Sequence, residues 1–177
     1  MKIFKVGGAV RDKKMGLEPR DTDWVVVGAS PEEMTKKGFK QVGKDFPVFL
    51  HPNTNEAYAL ARKDIKVGVG HKNFQFNFSP NVTLEEDLER RDLTINSMAI
   101  DESGNLIDPF NGMKDIENKC FRPVSNAFFE DPLRALRVAR FKAQFPEFLL
   151  HESMEQALNK ISLSNELSHL SSERVWG

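Results

Sequence analysis

The sequence predicts an α/β domain with a mixed, largely antiparallel sheet over residues 1–122, followed by an α-helical extension over residues 123–177. Three observations point there. Short β-branched or aromatic runs end at glycine or turn residues throughout the first part. Helix starts with capping residues are interleaved between them. After Pro123 the pattern changes to longer segments of helical period.

In chain order, Ile3 to Val6 reads as a strand ended by Gly7-Gly8, and Ala9 to Met15 as a short helix stopped at Gly16. Asp23 to Val27 is the clearest strand, since tryptophan and three valines crowd together before Gly28 and the helix start Ser30-Pro31-Glu32-Glu33. Val48 to Leu50 and Tyr58 to Ala61 flank the turn-rich His51-Pro52-Asn53-Thr54-Asn55, which has hairpin character. Residues 64 to 81, with Gly68, Gly70, Asn73, Asn77 and Pro80, keep no steady period and read as a mobile loop. Lys63, Lys66, His71 and Lys72 make that region locally basic.

Thr83-Leu84-Glu85-Glu86 has the spacing of a capping box and predicts a helix toward Arg91. Ser97 to Ile100 and Leu106 to Ile107 form a predicted hairpin around Glu102-Ser103-Gly104-Asn105. Long helices are expected over Phe129 to Phe145, up to Pro146, and over His151 to Ile161. A last helix start at Ser171-Ser172-Glu173-Arg174 has no room to continue, so the sequence predicts a helix cut short at Gly177.

Composition narrows the function classes. Lys and Arg total 25 against 26 Asp and Glu, so any nucleic-acid contact must rest on a local basic surface rather than on global charge. The single cysteine, Cys120, cannot form an internal disulfide and is no zinc site, which suits a reducing cytoplasm. No apolar run approaches membrane-spanning length, so no membrane partner is expected.

Asp21 and Asp23 flank Thr22 at the mouth of the clearest strand, and strand alternation sends both carboxylates to one face. Two hard oxygen donors there suit Mg²⁺, which is commonly held by one or two carboxylates plus substrate phosphates. An Asp-rich turn before a strand accounts for the same residues. Gly7-Gly8 ahead of a helix offers backbone amides to a triphosphate, with Arg11 one turn in, although a Gly-Gly pair also serves as a plain turn. Arg90, Arg91 and Asp92 fit either an anion site or a solvated helix end. Asp131, Arg134, Arg137 and Arg140 recur every third residue; at about 3.6 residues per turn each step lags by about 60°, so they wind around their helix. Leu133 and Leu136 flank Arg140 on that wheel, which places an arginine at the edge of an apolar face; a helix laced by i,i+3 ion pairs is the alternative.

Gly7-Gly8-Ala9-Val10-Arg11-Asp12, Arg20-Asp21-Thr22-Asp23-Trp24, Arg90-Arg91-Asp92-Leu93-Thr94-Ile95-Asn96, Asp108-Pro109-Phe110-Asn111-Gly112 and Glu130-Asp131-Pro132-Leu133-Arg134 occur in an order that resembles class II CCA-adding tRNA nucleotidyltransferases. The resemblance covers almost the whole chain and is nearest to the bacterial multifunctional members. It implies a polymerase β-like nucleotidyltransferase fold, shared with bacterial poly(A) polymerases, and addition of CTP and ATP to tRNA 3′ ends with release of pyrophosphate. It further implies that Asp21 and Asp23 are catalytic magnesium ligands, that Gly8, Arg11 and Arg91 contact nucleotide phosphates, and that Asp92 and Asn96 recognise the ribose 2′-hydroxyl. Asp131 and Arg134 resemble the pair that reads the incoming base, with Arg137 and Arg140 contributing to the same site.

Two departures qualify the match. The family often has an acidic residue five positions before the arginine matching Arg62, where this chain has Ala57 with Glu56 beside it, and a one-residue shift reverses a strand face. Family members also continue into body and tail regions that hold tRNA, often with a C-terminal phosphohydrolase domain. The rival readings are a poly(A) polymerase head, which CTP incorporation excludes, and a nucleotide- or RNA-binding module without tRNA activity.

Overall fold

The computed structural model describes residues 1–42, 48–66, 74–164, 167 and 170. β1 (Lys2–Val6), α1 (Gly8–Lys14), β2 (Asp23–Val27) and α2 (Pro31–Lys36) come first. β3 (Lys40–Val42), β4 (Val48–Leu50), β5 (Ala57–Leu60), β6 (Lys63–Lys66) and β7 (Phe74–Asn77) follow. Then come α3 (Leu84–Glu89), a 3-10 turn at Thr94–Asn96, β8 (Ala99–Ile100), β9 (Leu106–Ile107), α4 (Gly112–Glu117) and β10 (Cys120–Phe121). A second 3-10 turn (Asn126–Glu130), α5 (Leu133–Gln144), β11 (Leu149–Leu150) and α6 (Glu152–Leu163) complete the described chain.

A 7-stranded sheet runs in the order β3-β4-β5-β2-β1-β8-β9. Only the β2–β5 contact is parallel, with Trp24 opposite Tyr58; the other neighbours are antiparallel. This is the mixed, largely antiparallel sheet the sequence predicts. Alternation along β1 and β2 divides the core between two faces. Val26 packs with Met34 of α2, Phe49 and Leu60 on one, while Phe4, Val6 and Val25 pack with Leu88 of α3 on the other.

Both helices start where their sequences can satisfy free amides. Ser30 and Glu33 form a capping box with Pro31 in the first turn, and Thr83 and Glu86 form the second. A third cluster joins the head to the helices that follow: Leu93, Ile95 and Phe121 pack with Phe128, Phe141, Phe148 and Met154. Fully burying each phenylalanine contributes about 1.5–3 kcal/mol, so α5 and α6 are held by hydrophobic contact as well as by polar ties.

Three readings need correction. Part of residues 64 to 81 is regular: β6 and β7 pair antiparallel, with Asp64 opposite Phe76, although Gly68, Gly70, His71, Lys72 and Asn73 lie outside the described residues. The pairing is non-local, which a search for local period cannot see. The helix expected from Phe129 starts at Leu133, because Asp131 is extended and Pro132 sets the first helical φ. Leu136 is 38% exposed, and the buried side of α5 is Val138 and Phe141, so Leu133 and Leu136 do not define its core face. α4 and the parallel β10–β11 pair were not foreseen. The start at Ser171-Ser172-Glu173-Arg174 lies outside the described residues. Among the described residues no helix is long and apolar enough to cross a membrane.

Candidate active site

The site forms where β1 ends. Gly7 has φ +72°, a conformation that costs glycine nothing, and the chain turns there into α1. A Cβ at Gly7 would lie 2.9 Å from Arg91 Nη1, 3.9 Å from Asp23 Oδ2 and 4.0 Å from the Asn96 carbonyl oxygen. Side chains from α3's far end and β2 therefore converge on a turn where an added side chain would displace Arg91. Gly8 opens α1, and a Cβ there would sit 3.6 Å from Arg11 Nη2.

Asp21 lies just before β2 and Asp23 is its first residue, and both are exposed. No hydrogen bond or ion pair among the described residues occupies either carboxylate. The register puts Ala57 beside Asp23 on the parallel neighbour strand, while the Glu56 carboxylate accepts from Thr54 Oγ1 at 2.9 Å. The acid next to Ala57 is thus committed to the turn before β5. Among the described residues no group of three or more His, Cys, Asp or Glu side chains is placed to hold a metal ion. Two carboxylates are what the protein itself offers there.

The Arg-Arg-Asp motif is tied on every side. Arg90 and Arg91 both donate to the buried carboxylate of Asp87, and Arg134 of α5 donates to the carbonyl oxygens of Arg90 at 2.6 Å and Arg91 at 3.2 Å. Asp92, 6% exposed, accepts from the Leu93 amide and Asn96 Nδ2 at one oxygen and from Arg137 Nε, at 2.8 Å, at the other. Burial opposes ionisation of Asp92, but Arg137 and Asn96 outweigh it and hold its pKa below the ordinary aspartate value.

Asn96 in turn accepts from Arg11 Nη1 at 2.7 Å. Arg11 is buried, bonds Asp12, and stacks at 5.1 Å from the Phe141 ring and 5.4 Å from Phe145. A line of contacts thus runs from α1 through Asn96 and Asp92 to α5. Arg11 is occupied by these partners, and a phosphate would compete with them for it. Asp131 Oδ1 accepts from the Leu133 amide at the start of α5, and Arg140 is exposed.

The predicted residues therefore fall into a cluster around Gly7 and a belt where α5 meets the head, with Arg140 outside both. Sequence reasoning missed Asp87, whose i,i+3 and i,i+4 spacing to Arg90 and Arg91 is the one local signal for it. It also missed Asp115, which accepts from Thr94 Oγ1 at 2.6 Å and from Arg122, fixing the turn that carries Asn96.

The model of the poly A polymerase head domain matches residues 3–122. The chain belongs to that family. Its relatives include the multifunctional CCA protein of Pseudoalteromonas atlantica, 57% identical over 99% of this chain and 44% of that protein. The CCA-adding enzyme of Coxiella burnetii is 54% identical over 99% of this chain and 47% of its own length. The chain thus spans less than half the length of the curated relatives it matches. Among solved structures, a CCA-adding enzyme in apo form II superposes with a TM-score of 0.79 at 29% identity, covering 98% of this chain and 43% of that one. The Bacillus stearothermophilus CCA-adding enzyme in complex with CTP gives 0.75 at 34% identity, covering 98% and 42%. The head-domain fold expected from the motifs is the fold of this chain.

Proposed function

We propose that this chain is the catalytic head, residues 1–122, and the start of the neck, residues 123–177, of a cytoplasmic enzyme that adds CCA to tRNA 3′ ends from CTP and ATP. The observation that carries the reading is the convergence of the Arg91 and Asp23 side chains on the Gly7 turn, with the Asn96 backbone carbonyl beside them. A cation and a metal-type carboxylate meet where a nucleoside triphosphate would need both.

Two exposed carboxylates without partners among the described residues fit Mg²⁺, whose remaining ligands are commonly water and phosphate oxygens. When bound, the ion would polarise the reacting phosphate and neutralise charge on the leaving oxygens. Asp21 and Asp23 would hold it. Gly8, Arg11 and Arg91 would bind the triphosphate, and Asp92 with Asn96 would test for the ribose 2′-hydroxyl. Asp131 and Arg134 would present acceptor and donor to the base edge, with Arg137 supporting the same site. In the reaction the tRNA 3′-hydroxyl oxygen forms a bond to the α-phosphorus, the bond to the bridging oxygen breaks, pyrophosphate departs and the hydroxyl proton passes to solvent.

The test is incorporation of each NTP separately on a tRNA ending before CCA, with and without Mg²⁺, by this chain and by the longer natural protein. CTP and ATP addition by the longer protein is the expected result. Addition of ATP alone would make it a poly(A) polymerase, and binding without incorporation by either would make it a binding module.

A further inference from the structure

Beneath Arg91 lies a charge cluster that the proposed reaction does not itself require. Asp87 is completely buried in α3. Its Oδ1 accepts from Arg90 Nε at 3.0 Å, from Arg90 Nη2 at 2.8 Å and from the Arg62 amide at 3.2 Å; its Oδ2 accepts from Arg91 Nη2 at 3.1 Å. Asp64 of β6 lies 2.9 Å from Arg62 and 3.7 Å from Arg90. Among the described residues three guanidinium groups thus share two carboxylates.

Crowding these cations out of water is costly. Burial, then repulsion from Arg90, pushes the Arg62 pKa down to about 10. For Asp87 burial works against the charged form, and Arg90 and Arg91 overcome it. Of the three arginines, Arg91 is the one that reaches the Gly7 turn, and its buried Nε has no hydrogen-bond partner among the described residues. A buried donor left unmade is relieved by an arriving anion.

We propose that Asp87 is a positioning residue for nucleotide binding: one buried carboxylate grips Arg90, Arg91 and the foot of the β6–β7 hairpin, and so aims Arg91 at the triphosphate held beside Gly7 and Asp23. The inference rests on the proposed function and extends it to a residue that touches no substrate. An aspartate at this place acts through geometry: without its charge Arg91 can swing to solvent, and the binding corner loses its fixed cation.

The experiment measures binding of CTP and of inorganic tripolyphosphate, with Mg²⁺, to the 177-residue chain and to Asp87→Asn, Arg91→Ala and the double variant. Asp87→Asn should weaken both ligands by about tenfold to a hundredfold, the range for a lost charge-assisted contact. The double variant should be no weaker than Arg91→Ala alone, because Asp87 acts through Arg91. Additive losses, or a folded Asp87→Asn with wild-type affinity, overturn the inference. Should Asp87→Asn fail to fold, arginine side-chain NMR of the wild-type chain decides: tripolyphosphate should shift the Arg91 Nε–H resonance more than those of Arg62 and Arg90, and no shift at Arg91 overturns the proposal. Wild-type protein that binds neither ligand overturns the proposed function and this inference together.

Discussion

The two halves of the site are built in opposite ways. Asp21 and Asp23 are exposed and hold no partner among the described residues, whereas Arg90, Arg91 and Asp92 are held by Asp87, Asn96, Arg134 and Arg137. The first corner is left open for a ligand to complete, and exposed carboxylates there carry little folding energy. The second is wired in advance, so its residues contribute to stability and to geometry at once. The contrast explains why mutations in the two corners should separate activity from stability.

The largest expected effect comes from the open corner. Asp21→Asn or Asp23→Asn in the full-length protein should reduce incorporation by at least about a thousandfold, as loss of metal ligation would, while thermal stability stays within about 0.5 kcal/mol. Near-normal incorporation by both variants would remove the carboxylate pair from catalysis and erase the contrast.

Arg134→Ala comes next. Loss of a charged hydrogen bond should cost about 1.5–3 kcal/mol, roughly tenfold to over a hundredfold in kcat/KM for CTP and ATP. Discrimination against UTP and GTP should weaken, while Arg137→Ala slows all four nucleotides more evenly. Because Arg134 also grips the Arg90 and Arg91 carbonyls, its loss should lower the melting temperature too. An unchanged selectivity profile, measured as kcat/KM for the four NTPs, would leave Arg134 only as a tie between α5 and the Arg90 and Arg91 carbonyls.

A pair of glycine variants sharpens the comparison at a smaller scale. Gly7 and Gly16 have φ of +72° and +73°, but a Cβ on Gly16 meets nothing within 4 Å while one on Gly7 meets Arg91. Both alanine variants should lose about 1–2 kcal/mol to backbone strain; only Gly7→Ala should also weaken CTP binding. Equal CTP affinity in the two, measured by titration, would show that Arg91 can leave the turn at no loss.

The smallest effect concerns acid. Asp92 has a folded pKa below its unfolded one, so its contribution is present above the ordinary aspartate value and is lost as pH falls through the lowered value. In Arg137→Ala the depression shrinks, and the acid midpoint of unfolding should move to higher pH. The same midpoint in both proteins would mean that the Asp92–Arg137 contact carries no linkage.

Much of the head was legible because its signals are local. Asp23 to Val27 is a strand wherever it lies, and Ser30 and Thr83 carry their capping partners three residues on. The β6–β7 hairpin and the β10–β11 pair escaped notice because both depend on partners distant in the chain or on runs too short to have a period. In α5 the apolar positions mislead: Leu136 faces out and Val138 in, since which side of a helix is buried depends on what packs against it.

Sequence by itself determined the order of motifs, the carboxylate pair at the strand mouth and the family to which they point, because residue type and spacing are covalent facts. Tertiary structure alone decided which charges are shared. Arg11 is drawn under Phe141 and Phe145, Asp64 of β6 comes within 3.7 Å of Arg90, and Asp92 meets Arg137 from 45 residues away. The reason is physical: a charge taken out of water must find its partner in space, and only the folded chain says which partner that is.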